Sequence, residues 1–282
     1  VNPAYLVAAL GSVLYGGADF CGGLAARRSA ALVVTFASGL SALLVLVLGL
    51  ALAHGVPSAA DLAWGATAGA VGVFGAALIY RAIALGPVSV ASPVLCVVGL
   101  SVPVLVGLAL GERPGTLALG GVGLAVLAIP LLARAHTDGH PDGPEAVRRV
   151  LPVALAAGLT AGLFLVCVGR IGRGAGLWPL LLARGVAVSL LLAWLTLRRQ
   201  PLWPMRGSRS TALVAGAFDS AANVAYLLAV QRGSLALVAT LVSLSPATTV
   251  LLARLFLGER WTLPQRWGLV LALVAAVCIS AP

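Results

Sequence analysis

Lysine is absent: all 18 basic residues are Arg, and only 8 residues are acidic. Charge of either sign makes up 9% of the chain, where a water-facing surface needs roughly a quarter or more. That scarcity excludes a soluble enzyme, and a hydrophobic content of 61% excludes a disordered chain. The Arg are scattered and no aromatics interleave with them. The net charge of +10 therefore does not describe a surface that tracks a phosphate backbone, and no nucleic-acid partner is expected. Cysteine is scarce as well. Cys21, Cys96, Cys167 and Cys278 stand singly in apolar stretches without CxxC spacing. This excludes a secreted disulfide scaffold and reads as small buried hydrophobes. No GxxxxGK[ST] loop is present to power an ATPase.

What fills the chain is a succession of apolar runs of about twenty residues with short polar breaks. At 1.5 Å per residue each run covers about 30 Å, one hydrocarbon thickness. Ten spans are predicted, at 3–23, 30–53, 62–84, 88–110, 115–133, 150–169, 176–197, 210–231, 234–257 and 262–281. The breaks carry charge or Gly/Pro, as at Arg27-Arg28, His54-Gly55-Val56-Pro57, Gly86-Pro87, Glu112-Arg113-Pro114 and Gly174-Ala175-Gly176. Val1-Asn2-Pro3 brings no basic leader, so the first run reads as a retained span. The expected fold is all-α, a polytopic membrane protein. One stretch, Arg134 to Arg149, is polar and rich in Gly and Pro, and reads as a solvated linker between 1–133 and 150–282. His136, His140, Asp138 and Asp142 have the residue types of a metal site. Two Gly and two Pro in the stretch keep them from sharing a helical face, so neither a metal nor a cofactor is expected.

The linker separates two copies of one unit. Leu110-Gly111-Glu112-Arg113 recurs as Leu257-Gly258-Glu259-Arg260 at an offset of 147, and at that offset Gly86 falls on Gly233 and Gly11 on Gly158. Each copy holds five predicted spans. Because five is odd, the second copy enters the membrane from the opposite side. Such inverted pairs build many secondary transporters, with a site near mid-bilayer where the copies meet.

The ten-span, five-plus-five layout resembles the drug/metabolite transporter superfamily, in particular its EamA branch. The residues that carry the resemblance run from Tyr80-Arg81 through Gly86-Pro87 to Ser92-Pro93 and Gly111-Glu112-Arg113, and again from Gly233 to Gly258-Glu259-Arg260. Gly16-Gly17-Ala18-Asp19 and Asp219-Ser220-Ala221-Ala222-Asn223 are similar to a bacterial subgroup of that branch. The resemblance implies export or exchange of small metabolites across the cytoplasmic membrane and leaves the cargo open.

Sorting the Arg by membrane side gives twelve opposite the N-terminus and four on its own side, with Arg184 and Arg254 inside spans. By the positive-inside rule both termini then lie outside the cytoplasm, whereas the family resemblance implies both inside.

Charge inside a span costs about 2.5–3.5 kcal/mol or more, so it should face a cavity and have a partner. Arg184, Asp219 and Asp19 are such charges. Counted along consecutive antiparallel spans, Arg184 lies about 12 Å deep and Asp219 about 18 Å, close enough for a guanidinium to bridge. Asn223 shares the face of Asp219 one turn on. These three are expected either to line a substrate cavity, with Arg184 meeting an anionic group and Asp219 a proton or an ammonium, or to form a structural tie between helices. Asp19 either joins them or sits at the interface beside Arg27 and Arg28. Tyr15, Tyr80, Trp178 and Tyr226 are candidate cavity walls, with interface anchoring as the alternative. Pro93 and Pro103 in the fourth span, and Ser243 and Pro246 in the ninth, are candidate kinks or gates. The Gly65, Gly69, Gly72, Gly75 stripe reads as close helix packing, and Glu112-Arg113 and Glu259-Arg260 as helix-end devices.

All three His fall in loops and no Ser–His or paired-Asp arrangement is evident, so no enzyme is expected. The reading is a secondary active transporter, an exporter or exchanger of small metabolites, amino-acid-like compounds or drugs. The alternatives are a lipid or glycolipid flippase of the same fold, a membrane-embedded enzyme or an accessory subunit. The expected partners are a small-molecule substrate, the lipid bilayer of the cytoplasmic membrane and protons as a coupling ion, in a monomer or homodimer.

Overall fold

The computed structural model describes residues 3–51, 55–111, 115–134, 144–172, 174–232, 241–242, 244–259 and 262–280. The helices with described bounds are ten α-helices and one short 3-10 turn at Arg206–Ser208; residues 241–242 are helical too, and no strand occurs among the described residues. The first five helices are α1 (Pro3–Ala26), α2 (Ala31–Gly49), α3 (Ala59–Leu85), α4 (Val88–Ala109) and α5 (Thr116–Arg134). The second five are α6 (Pro144–Gly169), α7 (Trp178–Leu197), α8 (Arg209–Arg232), α9 (Ser245–Leu257) and α10 (Leu263–Ser280). Among the described residues, α1 to α4 and α6 to α8 are the seven helices long and apolar enough to cross a membrane; the apolar stretches of α5, α9 and α10 are shorter. Large apolar side chains such as Leu44, Leu48, Phe74, Leu255 and Phe256 are exposed on the bundle, a surface suited to lipid and unsuited to water.

Local chemistry explains where the helices depart from the predicted spans. α3 begins three residues early because Ser58 and Asp61 form a capping box. The Asp61 N–H donates to Ser58 Oγ at 3.2 Å and the Ser58 N–H to Asp61 Oδ2 at 2.8 Å. α6 begins inside the expected linker, at Pro144, with Glu145 in its first turn, both favourable at a helix start. The rest of the linker with His136, His140, Asp138 and Asp142, and also Ser243, Glu112, Arg113 and Arg260, lies outside the described residues.

Pro93 and Pro103 sit inside one continuous helix, α4. Pro103 cannot bond the Gly99 carbonyl, and α6 passes so close there that a Cβ on Gly162 would stand 2.8 Å from that oxygen. Pro246 differs. It lies in the first turn of α9 behind the N-cap Leu244, so it begins a new helix, where the missing N–H costs nothing.

The packing repeats itself when the halves are exchanged. α1 packs on α8 as α6 packs on α3, and α2 on α8 as α7 on α3, while α2 with α7 and α5 with α10 map onto themselves. Glycines at equivalent positions, 147 apart, make the second of these contacts. A Cβ on Gly69 of α3 would collide with the backbone of Ala183 on α7, and one on Gly216 of α8 with the Ser38 carbonyl on α2. In lipid, with no hydrophobic force between helices, such backbone approach is what holds them.

The charged tetrapeptide of the second half supplies a cap for the first. Pro87, the N-cap of α4, has no side chain to satisfy the first N–H groups. The Glu259 carboxylate does so from the α9–α10 turn, accepting from Val88 N at 2.8 Å and Ser89 N at 3.1 Å. Glu259→Ala is expected to cost about 1–2 kcal/mol, seen as a lower unfolding temperature of the purified protein, with Glu259→Gln falling between. An unchanged temperature for Glu259→Ala would mean that water caps α4 equally well.

Candidate functional site

The small residues that bring α3 against α7 and α8 against α2 leave a cavity of about 140 Å³ between the first three helices of each half. Asp19 (α1), Thr35 (α2), Tyr80 (α3), Arg184 (α7), and Asp219 and Asn223 (α8) are its polar lining. Phe164, Leu180, Val188 and Val73 are among its apolar walls. Arg184 Nη2 donates to Asp219 Oδ2, joining α7 to α8. Their side chains keep 27% and 24% exposure, and both line the cavity. Asn223 Nδ2 donates to the Asp219 carbonyl oxygen at 2.7 Å. Asp19 has no hydrogen bond or ion pair among the described residues, and it lies in the cavity wall and not at the interface beside Arg27 and Arg28.

Three of the residues expected as cavity walls are not in the lining. Trp178, in the first turn of α7, is 45% exposed because Leu177 and Pro179 take the inward positions; it faces outward like an interface anchor. Tyr226 packs with Ala8, Ala229 and Tyr5. Tyr15 is within electrostatic reach of Tyr226, Arg184 and Asp19 but is not among the lining residues. Of the four aromatics only Tyr80 lines the cavity, buried, with its hydroxyl 3.5 Å from Ser38 Oγ. Sequence reasoning passed over Gly72 and Ala76 as cavity residues, although the repeat offset carries the signal: 147 residues earlier than Asp219 and Asn223 stand these two, and both line the cavity. One wall is therefore charged and its counterpart is nearly bare.

Each end of the bundle is closed by a clasp between the halves. At one end the α2–α3 turn meets the α6–α7 turn. Gly172 N donates to Asp61 Oδ1 at 2.7 Å, and Val56 N to Gly174 O at 3.1 Å. At the other end the α1–α2 turn meets the α7–α8 turn. Ser29 Oγ accepts from Met205 N at 3.0 Å and shares a 2.8 Å bond with Ser208 Oγ. Ser208 is the residue 147 after Asp61, so the two clasps occupy equivalent places in the halves.

A solved chain described only as the crystal structure of a protein is 18% identical, with a TM-score of 0.59 and coverage of 98% of this chain and 96% of that one. At that identity the likeness is one of fold alone. Among curated proteins none matches the chain in sequence. The model of the EamA-like transporter family matches twice, over residues 2–134 and again over 149–281. A helical bundle built in two halves, seven of its described helices fit to cross a bilayer, thus belongs to the EamA-like transporter family, as a multi-pass integral membrane protein from a family of small-molecule transporters.

Proposed function

We propose that the chain is a secondary active transporter that moves small molecules across the cytoplasmic membrane by alternating access, as an exporter or exchanger. The carrying observation is the charged cavity between the halves, with an equivalent clasp at each end. Ten crossings, in two inverted five-helix repeats at 1–133 and 150–282 joined by the linker 134–149, give that arrangement its logic. The repeats rock against each other, one clasp releasing while the other holds, and Asp19, Tyr80, Arg184, Asp219 and Asn223 meet the cargo in between. Exchange of the packing pairs between halves supports the inversion. A cavity of about 140 Å³ supports a small cargo over a lipid. The test is flux into proteoliposomes under an imposed proton gradient across a panel of amines, amino acids and organic anions. Gradient-stimulated flux of at least one class is expected; none, with protein that is folded by size exclusion and circular dichroism, overturns the reading.

A further inference from the structure

We propose that the cavity is a site for a small organic monocation, an ammonium group on an apolar body about the size of one ring. The use of the site in transport rests on the function proposed above; binding itself does not. The argument starts from charge. Arg184 and Asp219 answer each other directly, which leaves the Asp19 carboxylate in the lining with no counter-charge among the described residues. An anionic cargo could reach the remaining N–H groups of Arg184 only by bringing a third negative charge around one guanidinium. A monocation beside the Asp19 carboxylate brings the lining to neutrality, as a proton on Asp19 does while the site is empty.

Hydrogen-bond capacity points the same way. Asn223 donates its amide to the Asp219 carbonyl, Thr35 donates its hydroxyl to the Ala31 carbonyl at 2.8 Å, and Tyr80 is directed to Ser38. The acceptors left are the Asp19 carboxylate, the Asn223 side-chain oxygen and the free lone pairs of the hydroxyls, beside the second N–H of Asn223 and the unused N–H groups of Arg184. An ammonium carries three donors and no acceptor, which matches the acceptors around Asp19. Size limits the rest of the ligand. A cavity of about 140 Å³ is close to the roughly 150 Å³ that holds one benzene. The bare wall at Gly72 and Ala76, with Phe164 and Val73 near it in the lining, gives that body its space opposite the charged helices.

Benzylammonium is the probe, measured by calorimetry on the purified full-length chain, beside neutral benzyl alcohol, anionic phenylacetate and zwitterionic phenylalanine. Benzylammonium is expected to bind about tenfold or more tightly than benzyl alcohol, the worth of one charge-assisted hydrogen bond, and phenylacetate is expected not to bind. Asp19→Asn removes that advantage and Asp19→Glu keeps it; if Asp19→Asn fails to fold, the ligand series on the native chain and Asp19→Glu decides. Phenylacetate or phenylalanine binding as tightly as benzylammonium, or amine affinity indifferent to Asp19→Asn, overturns the proposal. Amine binding without flux in proteoliposomes would sink the transporter reading and leave this site standing. Anion flux without amine binding would do the reverse.

Discussion

Asp219→Ala lowers the stability of the protein by about 3 kcal/mol, the low end of what breaking a buried ion pair costs, and Arg184→Ala lowers it less. Both side chains are more than two-thirds covered, and the quarter left exposed keeps the loss at that low end. The two variants differ because the orphans differ. Arg184 left alone cannot shed its proton and must keep a charge inside the bundle, whereas Asp219 left alone can take up a proton and become neutral. Asp219→Ala also leaves Asn223 bonded as before, since its partner there is backbone. The double variant Arg184→Leu with Asp219→Leu removes both charges and is expected to recover most of the loss, because well-packed apolar residues often replace a buried pair at no cost. Thermal unfolding of the native protein, the single variants Arg184→Leu and Asp219→Leu and this double variant gives the cycle directly. Equal and additive losses would show that the two groups are not coupled, and would undo the account of how α7 is tied to α8.

That pair shows what could be read from the chain and what could not. Residues 184 and 219 fall on consecutive helices, so the rise per residue alone sets their depths, and the bundle brings them into contact. Depth says nothing about azimuth. Trp178 stands on the outer face of α7, while Leu177 beside it is fully buried. Asp19 was ambiguous for the same reason, since only the packing of α1 on α8 decides that it looks inward and not toward Arg27. The glycine stripe was legible as close packing because a missing side chain leaves few other readings, and Gly69 meets the α7 backbone. The clasps were not legible. Asp61 reaches a backbone N–H 111 residues away, and every residue but proline has such a donor, so no pattern of residue types marks the partner. Glu259 was visible as a helix-end device, but not as the cap of a helix in the other half.

Oxidising a Ser29→Cys, Ser208→Cys variant is expected to abolish transport almost completely, with full recovery on reduction. The two hydroxyls are 2.8 Å apart, which places their Cβ atoms near the reach of a disulfide, and both belong to turns that must part if that end opens. Cys21, Cys96, Cys167 and Cys278 are first replaced by Ala so that the new pair has no competitor. A covalent clasp at one end of a rocking bundle stops the cycle even though the cavity and its charges are untouched, so cargo binding should survive while flux does not. The opposite clasp offers the converse. The Asp61 carboxylate accepts from Gly172 N, Ser58 N and Ser58 Oγ, and Asp61→Ala removes all three bonds at once. That variant should open its own end more often. With Ala76→Cys as a reporter in the cavity wall, a membrane-impermeant maleimide added at the Asp61 end should react faster in Asp61→Ala than in its parent. The oxidised Ser29→Cys, Ser208→Cys protein should protect the reporter from reagent added at the other end only. If the disulfide forms to completion by mass spectrometry and flux continues at the reduced rate, the clasps are not gates, and the cavity must be reached by a route that leaves the α1–α2 and α7–α8 turns together.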